Sequence, residues 1–329
     1  KRFIKILFRC LWITLLLLGV IAILLTLPVV QSFIAQKVVA YLNEDYGIDI
    51  QIERVHIKPN GFADIKQVLI RDEAKDTLIA AEKLTASILD FRQLINGNLF
   101  FGEVDGSGLK LNMITHKGDS LTNLDRFVAK FDSGKPSTGH FIMKAKRINL
   151  LDSSFKIRDE NAADPSVLSI TQLSARLEDF QILGSEVYVN ARKASLTYNN
   201  ALKVNELDTD FSYTDTLMSA ENLRLKTALS DIEGEVRLYP HKKSYSDFVN
   251  KVVLDVRLPK ARVSTNDLNA FYNGFGRDKT IELEDVKMLG TLNNFDIPQG
   301  VISYQNTVID GVFSFKNLLD KHQPIIITA

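Results

Sequence analysis

The sequence is poor in the residues from which covalent and catalytic sites are built. Its 329 residues include one cysteine, Cys10, and one tryptophan, Trp12. A single cysteine excludes an internal disulfide framework and any zinc site built on cysteines. The five histidines, His56, His116, His140, His241 and His322, are scattered, and no two stand at a metal-pair spacing. Gly102, Gly106 and Gly108 lie in a turn-rich stretch without nucleotide-loop spacing, and neither a P-loop nor a nucleophile-elbow motif occurs. Net charge is also absent, with 40 Lys+Arg against 40 Asp+Glu. Nucleic-acid binding needs clustered positive charge, so no nucleic-acid partner is expected. These absences argue against an enzyme, and neither a cofactor nor a metal is expected.

What is present is a chain that folds. Hydrophobic residues make up 45% and charged residues 24%, ordinary values for a protein with a core. At its start, Lys1, Arg2, Lys5 and Arg9 form a basic flank, and the 21 positions from Cys10 to Val30 carry no charge. As a helix, that run reaches roughly 30 Å, the thickness of a bilayer core. Leu11, Trp12, Leu15, Leu18, Ile21, Leu24 and Leu27 are its anchor residues, with Trp12 near the basic end as an interfacial aromatic. The basic flank predicts a cytoplasmic N-terminus and a bulk across the membrane. A cleaved signal peptide is the alternative, but its apolar region is shorter, about 7–15 residues, and ends in a small-x-small site absent here.

The expected organisation is an anchor over 1–31, an amphipathic helix over 32–47 and a β domain over 48–329. In the helix Val30, Phe33, Ile34, Val38, Tyr41 and Leu42 share one face, and Gly47 suits its C-terminal stop. That face packs on a core, or the helix closes the membrane-proximal end of a β structure. The period then changes to two. Ile50 and Ile52 alternate with polar residues, and Val55 and Ile57 continue after a slip that predicts a bulge near Arg54. Val68 and Ile70, Leu84 and Ile88, Leu109 and Leu111, Leu223 and Leu225, Val236 and Leu238, and Val252, Leu254 and Val256 repeat the alternation. This predicts a mainly β chain whose long antiparallel sheet has one apolar face. Ile52–Ile57, Ile65–Ile70, Ala145–Leu150 and Ala220–Leu225 share an apolar-x-x-apolar-x-apolar motif, read as a recurring strand start. Short helices are expected over Leu89–Ile95, Leu121–Phe131, Tyr245–Asn250 and Asn266–Tyr272, and a flexible loop over 132–139, within a loop and helix insertion at about 116–140. Pro324–Ala329 reads as a strand cut short, so a longer β protein is expected.

An apolar sheet face is first of all a core. It also suits an open groove holding acyl chains, which need only non-directional burial at about 0.8 kcal/mol per CH₂. Aliphatic lining, a membrane anchor and few helices favour the groove.

The order of elements carries a resemblance: basic flank, span, helix ending at Gly47, Ile48–Ile57, Ile65–Asp72, Leu78–Ile88 and the short helix Phe91–Gly97. It resembles the N-terminal region of the TamB (translocation and assembly module) proteins in the wider AsmA-like group, most strongly over residues 1–115. The insertion at 116–140 departs from that pattern. The resemblance implies an inner-membrane anchor in a diderm bacterium and a periplasmic β-groove, taco-shaped in section. It implies movement of phospholipid toward the outer membrane, or outer-membrane protein assembly with an Omp85-type partner, TamA, engaged through a C-terminal region outside this sequence. Membrane lipids are then the expected partners. An LptC-like jellyroll and a closed sandwich are the other readings.

Overall fold

The computed structural model describes residues 26–58, 60–89, 98–130, 142–161, 167–184, 186–241, 248–271, 276–320 and 322–328. The anchor residues Leu11, Trp12, Leu15, Leu18, Ile21 and Leu24 lie outside them, as do the expected helix at 91–95 and the loop at 132–139. Among the described residues no helix is long and apolar enough to cross a membrane.

The first element is helix α1 (Pro28–Tyr46), started by a proline in its first turn and stopped by Gly47 in the left-handed region at φ 59. Among the described residues seventeen strands follow and join into one sheet. β1 (Asp49–Ile57), β2 (Phe62–Arg71) and β3 (Thr77–Ile88) form an antiparallel meander. β4 (Leu99–Ser107) and β5 (Lys110–Thr115) are two halves of one position, broken at Gly108, and both pair with β3. Both also pair with β6 (Ile142–Asp159), in parallel. The meander resumes through β7 (Val167–Leu183), β8 (Glu186–Tyr198), β9 (Leu202–Tyr213), β10 (Met218–Lys226), β11 (Asp231–Tyr239) and β12 (Val253–Ser264). β13 (Thr280–Gly290) and β14 (Phe295–Tyr304) follow, then β15 (Thr307–Asp310) and β16 (Phe313–Lys316), which share β14 as partner, and β17 (Ile326–Thr328).

The sheet is therefore mixed, which corrects the wholly antiparallel expectation. Parallel neighbours need a crossover rather than a hairpin. The insertion expected at 116–140 is that crossover, and it carries helix α2 (Asn123–Ala129). Two single-turn helices, α3 (Phe248–Lys251) and α4 (Thr265–Leu268), fall where the weaker helices were expected.

The recurring motif has a different meaning from the one expected. In Ile52–Ile57 the apolar residues on either side of Glu53-Arg54 pair with apolar partners on one face: Ile52 with Val68 and Val55 with Ile65. The motif is thus a mid-strand slip, not a strand start. The bulge expected near Arg54 is not a register shift: β1 and β2 keep one register on both sides of Glu53, and the change of phase is shared by both strands. The same slip occurs in most strands, and residues within them take left-handed φ: Gln67 (50), Asp152 (46), Gln172 (53), Asp179 (51), Lys193 (50), Asn222 (51) and Asp285 (50). Four of these seven are Asp or Asn, which tolerate that region best. In β1–β3 the slips lie side by side and the register continues unbroken across them, so the three strands bend together. From β6 onward the slips shift registers but stay in neighbouring positions. The result is a crease crossing the sheet at mid-strand, with the doubled polar residues on one face and the apolar residues on the other.

Small residues make the inner floor of the crease. Ala81 (3%), Ala194 (3%) and Ala261 (2%) are almost fully buried there. Gly234 shows why: an added Cβ would stand 2.2 Å from the Arg257 backbone oxygen. Toward β12–β16 the floor becomes a packed cluster of Val286, Ile297 and Phe313.

Candidate functional site

Apolar side chains run in rungs across the strands on either side of the crease. One rung passes Ile50, Ile70, Ile79, Leu111, Phe155, Ile170, Tyr198 and Leu202. A second passes Ile57, Ala63, Ala86, Val104, Ile148, Leu177 and Ala191. A third passes Val187, Tyr213, Met218, Leu238, Leu254, Gly290, Phe295, Phe315 and Ile327. Phe295 and Phe315 stack within it at 4.8 Å. Register is what aligns them, because a one-residue slip in a single strand would turn its apolar set to the other face.

Most of the expected lining residues lie on these rungs or next to them. Ile50, Ile52, Val55, Val68, Ile70, Leu84, Ile88, Leu109, Leu111, Leu223, Leu225, Val236, Leu238 and Val256 are half-buried, and Ile57 is 38% exposed. Val252, just before β12, and Leu254 are closed to solvent and act as plain core. Half-burial is the state of a side chain flanked by its sheet neighbours without a layer pressed over it. The sheet's apolar face is therefore only partly covered at these positions. The other face is a ladder of exposed ion pairs such as Arg224–Glu233 at 2.8 Å and Arg257–Glu235 at 3.1 Å.

The β1 edge of the sheet is sealed by α1 through polar side chains. Gln31 donates to the Ile57 carbonyl (3.0 Å) and accepts from its N–H (2.7 Å). Ser32 does the same for Val55, and Asn43 for Ile50. Side-chain amides thus take the place of a neighbouring strand along an edge that would otherwise offer free backbone groups. Of the six apolar residues expected to pack, Phe33 (60%), Ile34 (44%) and Tyr41 (60%) are exposed and Val30 is half-buried, while the side chains of Val38 and Leu42 lie outside the described ones. An edge strand demands hydrogen bonds first, so the polar face wins the contact. Leu27, expected in the anchor, sits in an extended conformation just before the helix and is 44% exposed.

A second constellation lies at the strand ends, where the β2–β3 turn meets the residues that follow β5 and β6. Asp72, in the β2–β3 turn, accepts from the Asp76 N–H (2.8 Å), the Asn123 amide (3.0 Å) and the His116 ring (3.1 Å). The other ring nitrogen of His116 faces Glu160 at 3.4 Å. The Asp72 carboxylate raises the His116 pKa above its ordinary value, against the opposing effect of burial, and Glu160 adds to the rise. Burial pushes Asp72 up, yet its bonds from Asn123, His116 and the Asp76 N–H outweigh this and hold it low. Asp72, Asp76 and His116 also bring one ligand atom each within 4.8 Å of one another, a geometry that could hold a cation. Asp72 is already saturated by protein donors, so the cluster is first a latch tying the β2–β3 turn to the ends of β5 and β6. Sequence reasoning missed it because His116 and Asp72 stand 44 residues apart. A polar cavity of about 790 Å³ adjoins it, lined by Asn43, Asp49, Arg71, His116, Arg126 and Lys130 among others.

No protein-family model matches the sequence, and no curated protein matches it.

Proposed function

We propose that the protein is a membrane-anchored conduit whose creased sheet carries the acyl chains of phospholipid along its apolar trough. The observation that supports this is the succession of largely half-buried apolar rungs, two from β1 to β8 or β9 and one from β8 to β17. A plain core would be covered, and a binding site for one small ligand would not need to extend across every strand. An acyl chain asks for length and apolar contact without directional bonds, which the rungs offer at about 0.8 kcal/mol per buried CH₂. Among the described residues, the rungs named above carry no charged side chain. With the uncharged run 10–30 as anchor, the conduit stands in the inner membrane of a diderm bacterium, leads toward the outer membrane and functions in outer-membrane biogenesis, as the TamB resemblance implies.

Photocrosslinking in cells tests this. Probes at Ile57 and Val256, inside, are expected to capture phospholipid, and probes at Glu53 and Arg257, outside, are not. Lipid at none of the four, or equally at all, overturns the conduit.

A second reading has its own observation. β17 presents Ile325, Ile326 and Ile327 at 49–59% exposure, with β16 as its one ladder neighbour among the described residues. Such an edge can accept an added strand, as a scaffold for outer-membrane proteins would require. Strand-pairing crosslinks from Ile326 to a nascent outer-membrane protein, with no lipid in the trough, would favour it.

A further inference from the structure

We infer that Asp72, Asp76 and His116 form a binding site for one divalent metal ion of the Zn²⁺ type, with Glu160 orienting the histidine. The site is independent of the apolar rungs, so it stands or falls apart from the conduit reading.

His116 lies between two carboxylates. Its Nε2 is 3.1 Å from Asp72 Oδ2, and its Nδ1 is 3.4 Å from Glu160 Oε2. A neutral imidazole carries one N–H, so it serves one of these acceptors and turns a bare lone pair to the other. With the N–H on Nδ1 and given to Glu160, the Nε2 lone pair faces the Asp72 oxygen directly. Something positive then has to stand between them. A second ring proton is one answer, and it makes the latch described above. A metal ion is the other, and the surroundings suit it.

Zinc bonds to imidazole nitrogen and carboxylate oxygen are about 2.0–2.2 Å long, so two ligand atoms sharing an ion stand roughly 3–3.5 Å apart. The Asp72–His116 pair already has that separation. The Asp72 side chain is 4% exposed and is held by the Asn123 amide and the Asp76 N–H, so one buried ligand is fixed before any ion arrives. The third ligand comes from the same turn. The Asp72 N–H donates to the Asp76 carbonyl (2.9 Å), and Lys75 takes a left-handed φ of 68, which folds Asp76 back beside Asp72. Ligand atoms of all three residues lie within 4.8 Å of one another. The Asp76 carboxylate is exposed and has no hydrogen-bond or ion-pair partner among the described residues, so a turn of its side chain brings it onto the ion.

Glu160 supplies the outer support. Arg158 holds its other oxygen at 2.8 Å. A carboxylate on the far ring nitrogen fixes the tautomer that leaves Nε2 to the metal. The adjoining cavity of about 790 Å³, lined by both Asp72 and His116, gives the ion a way in and room for water in its remaining positions. An imidazole in the set favours zinc-like ions, because Ca²⁺ and Mg²⁺ take oxygen ligands. A bound ion would clamp the β2–β3 turn to the residue where the crossover leaves β5. The sequence shows no histidine pair, but one histidine with two carboxylates of a distant turn needs none.

Titration of the full chain with Zn²⁺ and Co²⁺, in detergent and with a histidine-free tag, tests this. One Zn²⁺ per chain is expected by calorimetry and elemental analysis. The thermal midpoint should rise with Zn²⁺ and return with EDTA, and Co²⁺ should give a ligand-field band. Asp76→Asn is the deciding variant, because it keeps every protein bond to Asp72. A latch alone would be untouched, whereas Zn²⁺ affinity is expected to fall about tenfold or more. Glu160→Gln should weaken binding about 10–100-fold, as loss of an orienting partner does. His116→Gln should abolish the Co²⁺ band, and His322→Gln, at an exposed histidine elsewhere, should change nothing. Circular dichroism of each variant separates loss of the ion from loss of the fold. Absence of stoichiometric Zn²⁺ with an unmoved midpoint overturns the inference. Affinity that is equal in wild type, Asp76→Asn and His116→Gln overturns it too, since the ion would then sit on other side chains.

Discussion

Replacing Asn43 with leucine isolates the edge seal. The amide of Asn43 makes two bonds to Ile50, donating to its carbonyl and accepting from its N–H, each at 2.9 Å. Leucine keeps the bulk and removes both. A hydrogen bond of this kind contributes about 0.5–1.5 kcal/mol net, and water can reach a half-buried edge in part, so about 1–2 kcal/mol of local protection is at stake. That is roughly a 5- to 30-fold change in an opening equilibrium. The assay is amide hydrogen exchange. In Asn43→Leu the Ile50 amide is expected to exchange faster by that factor, while Val55 and Ile57, held by Ser32 and Gln31, keep their protection. Gln31→Leu should produce the mirror image, with Ile57 accelerated and Ile50 unchanged. Unchanged exchange at Ile50 would refute the reasoning. Equal acceleration of all three amides would refute it too, because α1 would then be leaving as a unit and not sealing the edge bond by bond.

Ala261→Leu, on the crease floor, is expected to destabilise the fold by about 1–3 kcal/mol through overpacking, whereas Val236→Leu on the wall should cost less, as thermal unfolding would report. His116→Gln tests the latch by its pH dependence. The pKa of His116 is raised, so the stability it contributes is full below its unfolded value of 6.5 and fades as pH rises through the higher folded value. That of Asp72 is lowered, so its contribution is lost as pH falls below 3.8. The wild-type advantage over His116→Gln in denaturant melts should therefore be greatest between those limits and shrink on the alkaline side; a flat difference would refute the latch. Val256→Glu places a charge within the trough and is expected to abolish lipid co-purification while the circular dichroism of the sheet is retained. Ile326→Lys at the open edge should reduce concentration-dependent association in analytical ultracentrifugation, since a charge there discourages edge pairing.

The period-two alternation was enough to read the strands locally. Ile50, Ile52, Val55 and Ile57 could be assigned to one face, slip included, because side-chain direction in a strand depends only on parity and local backbone. The meaning of the slip was not local. An irregularity in one strand is a kink, and only its alignment with Gln67 in β2 and the equivalent slips further along makes it a crease across the sheet. The apolar arc of α1 was equally visible in the sequence, but which face met the sheet was decided by the free backbone groups of β1, which take Gln31, Ser32 and Asn43 in preference to Phe33 and Tyr41. The parallel pairing of β4 and β5 with β6, and the meeting of Asp72 with His116, join residues some 44 positions apart. Periodicity carries no information about such partners. Composition and alternation alone thus determined a mainly β chain with one apolar face, whereas the tertiary structure decided where that face bends, what seals its edge and which of its residues stay open.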